Sequence, residues 1–239
     1  MSQISQIRRL SAKNLLDAWE TCLDEPVPLR GARLLAATCD DTVAETARWP
    51  IARRDAGLFD LREQLFGSVV DAVVLCSKCG ERAEVQFAID QIREPSASRC
   101  KDSGVVQVDG RRVRYRAPTS EDLMAIVGFD DVNAARMRLL ERCLGSAELS
   151  DELARRVIEH ISRDQAQADV QVNFDCPSCG NEWETPFDIA SFLWREVDDW
   201  ARRMLREIHL IASTYGWSEI DILSMSARRR QAYLEMLGE

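Results

Sequence analysis

Two short cysteine motifs are the residues in this chain best placed to do chemistry. One reads Cys76-Ser77-Lys78-Cys79-Gly80 and the other Cys176-Pro177-Ser178-Cys179-Gly180. C-x-x-C spacing lets two thiolates converge on one cation, and the following Gly permits the positive φ that such a tight turn wants. A strand-like stretch precedes each pair (Val69–Leu75 and Val170–Asp175), and another follows it (Arg82–Ile89 and Glu182–Phe187). In Val85, Phe87, Ile89 and in Val170, Val172, Phe174 the apolar residues alternate with period two. Two β-hairpins with C-x-x-C-G tips, facing each other, would form a four-thiolate zinc ribbon with Cys76, Cys79, Cys176 and Cys179 as ligands. Four thiolates close the tetrahedron of Zn2+, so the expected role is structural. The separation is unusual. Compact ribbons place their pairs about 15–20 residues apart, whereas 96 residues (80–175) intervene here. A redox C-x-x-C or two unrelated pairs are the alternatives. A thioredoxin-like motif opens a helix after a strand, and neither pair opens a helical pattern.

The remaining chemistry-bearing residues point to no catalytic centre. His160 and His209 lie far apart in helical patterns and form no H-E-x-x-H arrangement. Cys22, Cys39 and Cys143 fall in or at the ends of apolar helical patterns and read as small core residues, while Cys100 sits in a loop. No glycine-rich phosphate cradle and no G-x-S-x-G elbow is present. Arg112, Arg114 and Arg116 share one face of a strand, and Arg228-Arg229-Arg230 lie near the end. Both read as solvated surfaces, because no aromatic ladder accompanies them and the net charge of −9 repels backbone phosphates.

The elements that must position the cysteines are mostly helices. Leu15, Leu16, Trp19 and Leu23 mark the first, and Leu29, Ala32, Leu35, Ala36 and Cys39 the second. Asp40-Asp41-Thr42 reads as a stop and a new cap. Trp49-Pro50 opens a helix with Pro in its first turn, with Ile51, Leu58, Leu61 and Leu65 on one face and Gly67 closing it. Between the two cysteine pairs, a polar loop (93–104) leads to strands at Val105–Val108 and Arg112–Arg116, joined by Asp109-Gly110. Helices follow at Ser120–Val127, Val132–Leu144 and Asp151–Arg163, with Ser150 as N-cap. Ile189, Leu193, Val197, Trp200, Met204, Ile208 and Ile211 form a long apolar stripe, either core or a docking face, ended by Tyr215-Gly216. Ser218 and Ser226 cap two short terminal helices.

The expected fold class is α+β, mainly α: helical N- and C-terminal regions around a split four-cysteine zinc ribbon, with a helical and β-hairpin insertion between its knuckles. The expected divisions are a helical region at 1–67, a ribbon body at 68–188 enclosing an insertion at 81–168, and a helical region at 189–239. With 239 residues and 46% apolar content, a sizeable core is within reach. No apolar run approaches the roughly 18 residues of a membrane span. The polar stretch Met1–Leu10 lacks an export leader, so a cytoplasmic location with reduced thiols is expected.

The C-terminal stretch resembles a known ending. Trp200-Ala201-Arg202-Arg203, then Leu210 through Tyr215-Gly216-Trp217-Ser218, then Arg228-Arg229-Arg230-Gln231-Ala232-Tyr233-Leu234 are similar to the close of baseplate and tail-assembly proteins of the T-even phage type. Longer versions with paired C-x-x-C motifs look like proteins encoded with phage-tail-like contractile injection systems. Trp19, Trp49-Pro50 with Arg53-Arg54, and Leu65-Phe66-Gly67 before the first cysteine pair fit the same ordered set. The resemblance implies a non-enzymatic baseplate component or assembly chaperone whose partners are other baseplate or tail proteins. It would be located in the cytoplasm and, on assembly, in the particle. Tyr215, Trp217, Arg229 and Tyr233 are the candidate partner-binding residues. Two other readings stay open. A zinc-ribbon adaptor in transcription or nucleic-acid processing should show a basic ribbon surface, but Lys78 and Arg82 are mixed with Glu81, Glu84, Asp175, Glu182 and Glu184. A metal-dependent hydrolase needs an open metal position, which four thiolates deny.

Overall fold

The computed structural model describes residues 8–93, 100–108, 110–145 and 150–237. The fold is α+β and mainly helical. In chain order the helices are α1 (Ala12–Leu23), α2 (Val27–Ala36), α3 (Val43–Thr46), α4 (Ile51–Phe66), α5 (Ile89–Ile92), α6 (Ser120–Met124), α7 (Val132–Leu144), α8 (Asp151–Asp164), α9 (Ile189–Tyr215), α10 (Glu219–Ser224) and α11 (Ala227–Leu237). The strands form three separate antiparallel hairpins: β1 (Val69–Leu75) with β2 (Arg82–Ala88), β3 (Ser103–Val108) with β4 (Arg111–Arg116), and β5 (Gln171–Asp175) with β6 (Glu182–Pro186).

The caps fall where short polar side chains precede apolar periods. Ser11, Ser150, Ser218 and Asp188 accept backbone N–H groups at the starts of α1, α8, α10 and α9. Thr42 forms a capping box with Glu45. Pro50 differs from expectation: it is the N-cap of α4 rather than a first-turn residue, and it bridges to Thr119. The helix expected to run to Val127 stops at Met124. In α1, Cys22 rather than Leu23 joins Leu15 and Ala18 in the core, because steps of three and four from Leu15 reach Cys22; Leu23 is 42% exposed. The Asp109 half of the expected turn and residues 94–99 of the expected 93–104 loop lie outside the described residues, and the strand after that loop already begins at Ser103.

The main core gathers α1, α2, α4, the first half of α9, the inner face of the hairpin β1–β2, and Val170 and Phe187 at the base of β5–β6. The long stripe of α9 is core along its length: Ile189, Leu193 and Val197 enter this cluster, while Met204, Ile208 and Ile211 pack with α10 and α11. Helix α4 runs through the centre and is buried nearly all round, including Arg54, Asp55 and Arg62, which no apolar pattern marks. Each of these polar groups is satisfied. Arg54 Nε donates to Asp55 at 2.8 Å and its Nη1 donates to Ser120 Oγ at 3.0 Å. Arg62 makes a two-pronged pair with Glu196 at 3.0 and 2.8 Å and donates to the Gly67 carbonyl.

The segment between the cysteine pairs has its own small core of Val106, Val108, Tyr115, Leu140, Leu153 and Val157. It is tied to the start of α4. Ile51 N–H donates to the Pro118 carbonyl at 3.0 Å, and Ala52 N–H donates to Gln165 Oε1 at 3.2 Å. Asp122 links three of its elements. The carboxylate accepts from Arg116 of β4, from Arg142 of α7 at 2.7 Å, and from both the N–H and the hydroxyl of Thr119. Burial alone would raise its pKa, but the Arg116, Arg142 and Thr119 hydrogen bonds outweigh it and hold the carboxyl at about 2. The folded value lies below the unfolded one, so this stabilisation is present above about pH 4 and is lost as pH falls through about 2. Asp122→Ala should cost about 1–3 kcal/mol in denaturant unfolding at pH 7, because it removes a buried carboxylate that accepts from Arg116, Arg142 and Thr119, while the two half-exposed guanidinium groups regain water. The difference between variant and parent should shrink as pH approaches 2; a cost under about 0.5 kcal/mol at pH 7 would contradict this role.

Candidate metal centre

Each cysteine pair sits at the tip of a hairpin, and the two tips are built alike. Cys76 N–H donates to the Glu81 carbonyl and Gly80 N–H to the Cys76 carbonyl, both at 2.9 Å. Cys176 with Asn181, and Gly180 with Cys176, repeat the two bonds at the same length. Gly80 and Gly180 have φ of 72° and 66°, a conformation that a Cβ would strain. This turn aims both sulfurs of a pair to one side.

The hairpins stand side by side because their bases share one aromatic cluster. Phe87 meets Phe187 edge-on with ring centroids 5.7 Å apart, and Phe187 also packs on Phe59 and Phe192. With the bases fixed, the tips meet. The four Sγ atoms of Cys76, Cys79, Cys176 and Cys179 all lie within 4.8 Å of one another. Cys76 approaches Cys179 at 3.7 Å and Cys79 approaches Cys176 at 3.6 Å. These separations are far beyond the roughly 2.05 Å of a disulfide. They match the edge of a sulfur tetrahedron, about 3.8 Å when metal–sulfur bonds are about 2.3 Å. Asn181 Nδ2 donates to Ser77 Oγ at 3.4 Å and joins the tips again. No cysteine opens a helix, so the arrangement of a redox C-x-x-C is absent from both tips.

The local electrostatics favour a cation. Backbone N–H groups of Cys79 and Lys78 stabilise the Cys76 thiolate and bring its pKa to about 6. At Cys79 the Glu81 N–H acts in the same sense, but the Cys179, Cys76 and Cys176 sulfurs outweigh it and push the thiol up to about 12. Asn181 N–H likewise favours the Cys179 thiolate, yet burial and the neighbouring sulfurs raise it overall. Four thiolates this close cannot all ionise alone; a divalent ion reverses that balance. Cys76 and Cys176 are buried against the protein, whereas Cys79 and Cys179 face solvent. The set can therefore hold a metal ion in a closed shell.

A model of the T4 bacteriophage base plate protein family matches residues 32–194. The chain belongs to that family. No curated protein and no solved structure matches it. The match runs from α2 into the first turn and a half of α9, so this baseplate protein carries both cysteine pairs and the whole intervening segment inside the family region. Of the ordered set that carries the resemblance in sequence, Trp49-Pro50, Arg53-Arg54 and Leu65-Phe66-Gly67 lie within the match, and Trp200–Leu234 lie beyond it.

In those residues the baseplate protein brings Tyr215, Trp217 and Tyr233 together. Tyr215 stacks on Trp217 with centroids 4.8 Å apart, and Tyr233 meets both rings at an angle. Arg229 is exposed and lies over Tyr233 at 5.9 Å. The neighbouring arginine corrects the reading of this run as helix surface: Arg230 is buried, pairs with Glu207 at 3.3 Å and donates to the Met225 carbonyl at 2.7 Å. Arg112 and Arg114 are exposed, as a solvated strand face requires, while Arg116 is committed to Asp122. His160 packs against Tyr115, and His209 is exposed. Of the other cysteines, Cys22 and Cys143 are buried, and burial pushes their thiols up to about 12 and about 11.

Replacing Cys76 or Cys176 with Ser should remove stoichiometric metal and lower the thermal midpoint by several degrees, with Cys100→Ser as a control that changes neither. Elemental analysis and thermal unfolding read the two effects. A Cys76→Ser protein with undiminished metal and an unchanged midpoint would refute the site.

Proposed function

We propose that this baseplate protein is a non-enzymatic component or assembly chaperone of a phage-tail-like contractile injection system, held in shape by one structural Zn2+ on Cys76, Cys79, Cys176 and Cys179. The observation that carries this reading is the family match over residues 32–194, which encloses a cluster of four cysteine sulfurs. Zinc suits the donor set, since tetrahedral all-thiolate sites select it or iron–sulfur chemistry, and the sulfur spacing fits a single ion. A closed shell leaves no place for water or substrate, so the metal serves stability. The partners in this reading are other baseplate or tail proteins. Acidic residues beside the tips, including Glu84, Glu182 and Glu184, oppose a nucleic-acid backbone. Among the described residues no helix is long and apolar enough to cross a membrane.

In the same reading, the terminal hairpin of α9, α10 and α11 presents a docking edge. The Tyr215, Trp217 and Tyr233 rings fix its bend, and Arg229 offers an exposed cation on it. Co-expression with the baseplate proteins encoded beside it tests both points. The full chain should co-purify with at least one of them, and omitting it should reduce complete particles by an order of magnitude or more. Arg229→Glu, a change at an exposed position, should weaken that co-purification without altering the thermal midpoint. Assembly that proceeds equally without the chain would sink the proposal. Unchanged partner binding in both Arg229→Glu and a deletion of Met225–Glu239 would remove the C-terminal hairpin from it.

A further inference from the structure

The two cysteine-bearing hairpins meet at their tips and at their aromatic base, and between them lies a groove of about 460 Å3, within the range of small-ligand and peptide pockets. One wall is β1. Its residues Asp71, Ala72, Val73 and Val74 all line the groove. Successive strand residues point to opposite faces, so four in a row can border one space only where the strand presents its edge. Among the described residues β1 pairs with β2 alone, in a two-stranded sheet. Its other edge therefore offers N–H and C=O groups that no neighbouring strand takes up. Val73 stands beside this edge and is 52% exposed.

The rest of the groove is specific in character. Phe174 of β5 lines the groove together with β1, and Phe87, Phe187 and Phe192 add to its aromatic lining. The rim is acidic, with Asp71, Asp188, Glu196 and Asp199. Glu196 is neutralised by Arg62, and Asp188 caps α9. Asp71 accepts from Gln86 at 2.7 Å, and neither it nor Asp199 makes an ion pair among the described residues. Among the described residues Arg195 is the one cation on the rim, and it lies over Phe192 at 5.8 Å. An edge, an apolar lining and a net negative rim select an extended backbone with apolar and basic side chains. A second copy would bring a chain of net charge −9 to this acidic rim, so a separate partner of opposite charge fits better.

We propose that this groove binds an extended, basic–apolar segment of a partner protein, added as a third strand to the free edge of β1. The source of the partner rests on the baseplate reading above; the groove chemistry does not. The probe is a fluorescein-labelled Lys-Val-Lys-Val-Lys-Val peptide titrated against the full chain by anisotropy. Saturable binding is expected, at least about tenfold weaker for the Asp71→Lys/Asp199→Lys protein, whose two positions are exposed and should leave the thermal midpoint unchanged. The same peptide methylated on alternate backbone nitrogens keeps its charge and side chains but loses edge donors, and it should bind at least about tenfold more weakly in one of its two registers. Absence of saturable binding, equal binding by the double variant, equal binding by both methylated registers, or equal binding of an Asp-Val-Asp-Val-Asp-Val peptide would each overturn the proposal. A dimer dispersed by the double substitution would also overturn it, in favour of a second copy. These measurements need no baseplate protein, so their failure leaves the baseplate role standing. Peptide binding by a chain that never co-purifies with baseplate proteins would support the groove and overturn that role.

Discussion

Four sulfur atoms within 4.8 Å of one another are the constraint around which this structure is organised. Thiolates packed so closely repel, and thiols so placed gain little from each other; a shared cation turns the same geometry into binding free energy that is also folding free energy. The pairs stand 96 residues apart (80–175), so the contact closes a long loop. Loop-closure entropy grows only slowly with length, which makes such a separation affordable once the ends are tied. The chain must leave the first hairpin, build a small second core and return to the same spot.

The remaining structure makes that return accurate. The insertion is tied to α4 repeatedly: Arg93, near its start, donates to the Ala56 carbonyl and to Asp60, while Pro118, Ser120 and Gln165, from its middle and end, are hydrogen-bonded to the first turns of the helix. At the other end of α4, Arg62 ties Gly67, just before β1, to Glu196 in α9, just after β6. A single buried guanidinium thus sets where both cysteine hairpins enter the core. Phe87, Phe187 and Phe59 then fix the angle between them. A rigid base of this kind brings the tips within ligand distance, and the space left between the hairpins becomes a groove.

Much of this was legible locally. Period-two alternation and the C-x-x-C-G tips define β1–β2 and β5–β6 to within a residue, because pleat and knuckle geometry are short-range properties. Caps at Thr42, Ser150 and Ser218 are likewise written in a few adjacent residues. What could not be read are groups whose environment is supplied by distant chain. Arg54, Asp55, Arg62 and Arg230 look like surface charges in sequence, and only tertiary partners make their burial tolerable. The matched C-x-x-C-G tips point to convergence across 96 residues, and the four sulfurs do meet; the Phe87–Phe187 contact that holds the hairpins side by side has no local signal. The family region, 32–194, centres on the cysteine pairs, whereas the most suggestive run of sequence was the C-terminal one.

The proposed metal ion, bound by Cys76, Cys79, Cys176 and Cys179, is the tie between the two hairpins on which the proposed role depends. X-ray absorption at the zinc edge of the purified full chain tests it most directly. The result expected is four sulfur scatterers at about 2.3 Å and no oxygen or nitrogen in the first shell. A shell containing light-atom ligands, or a folded protein that retains no zinc, would contradict it.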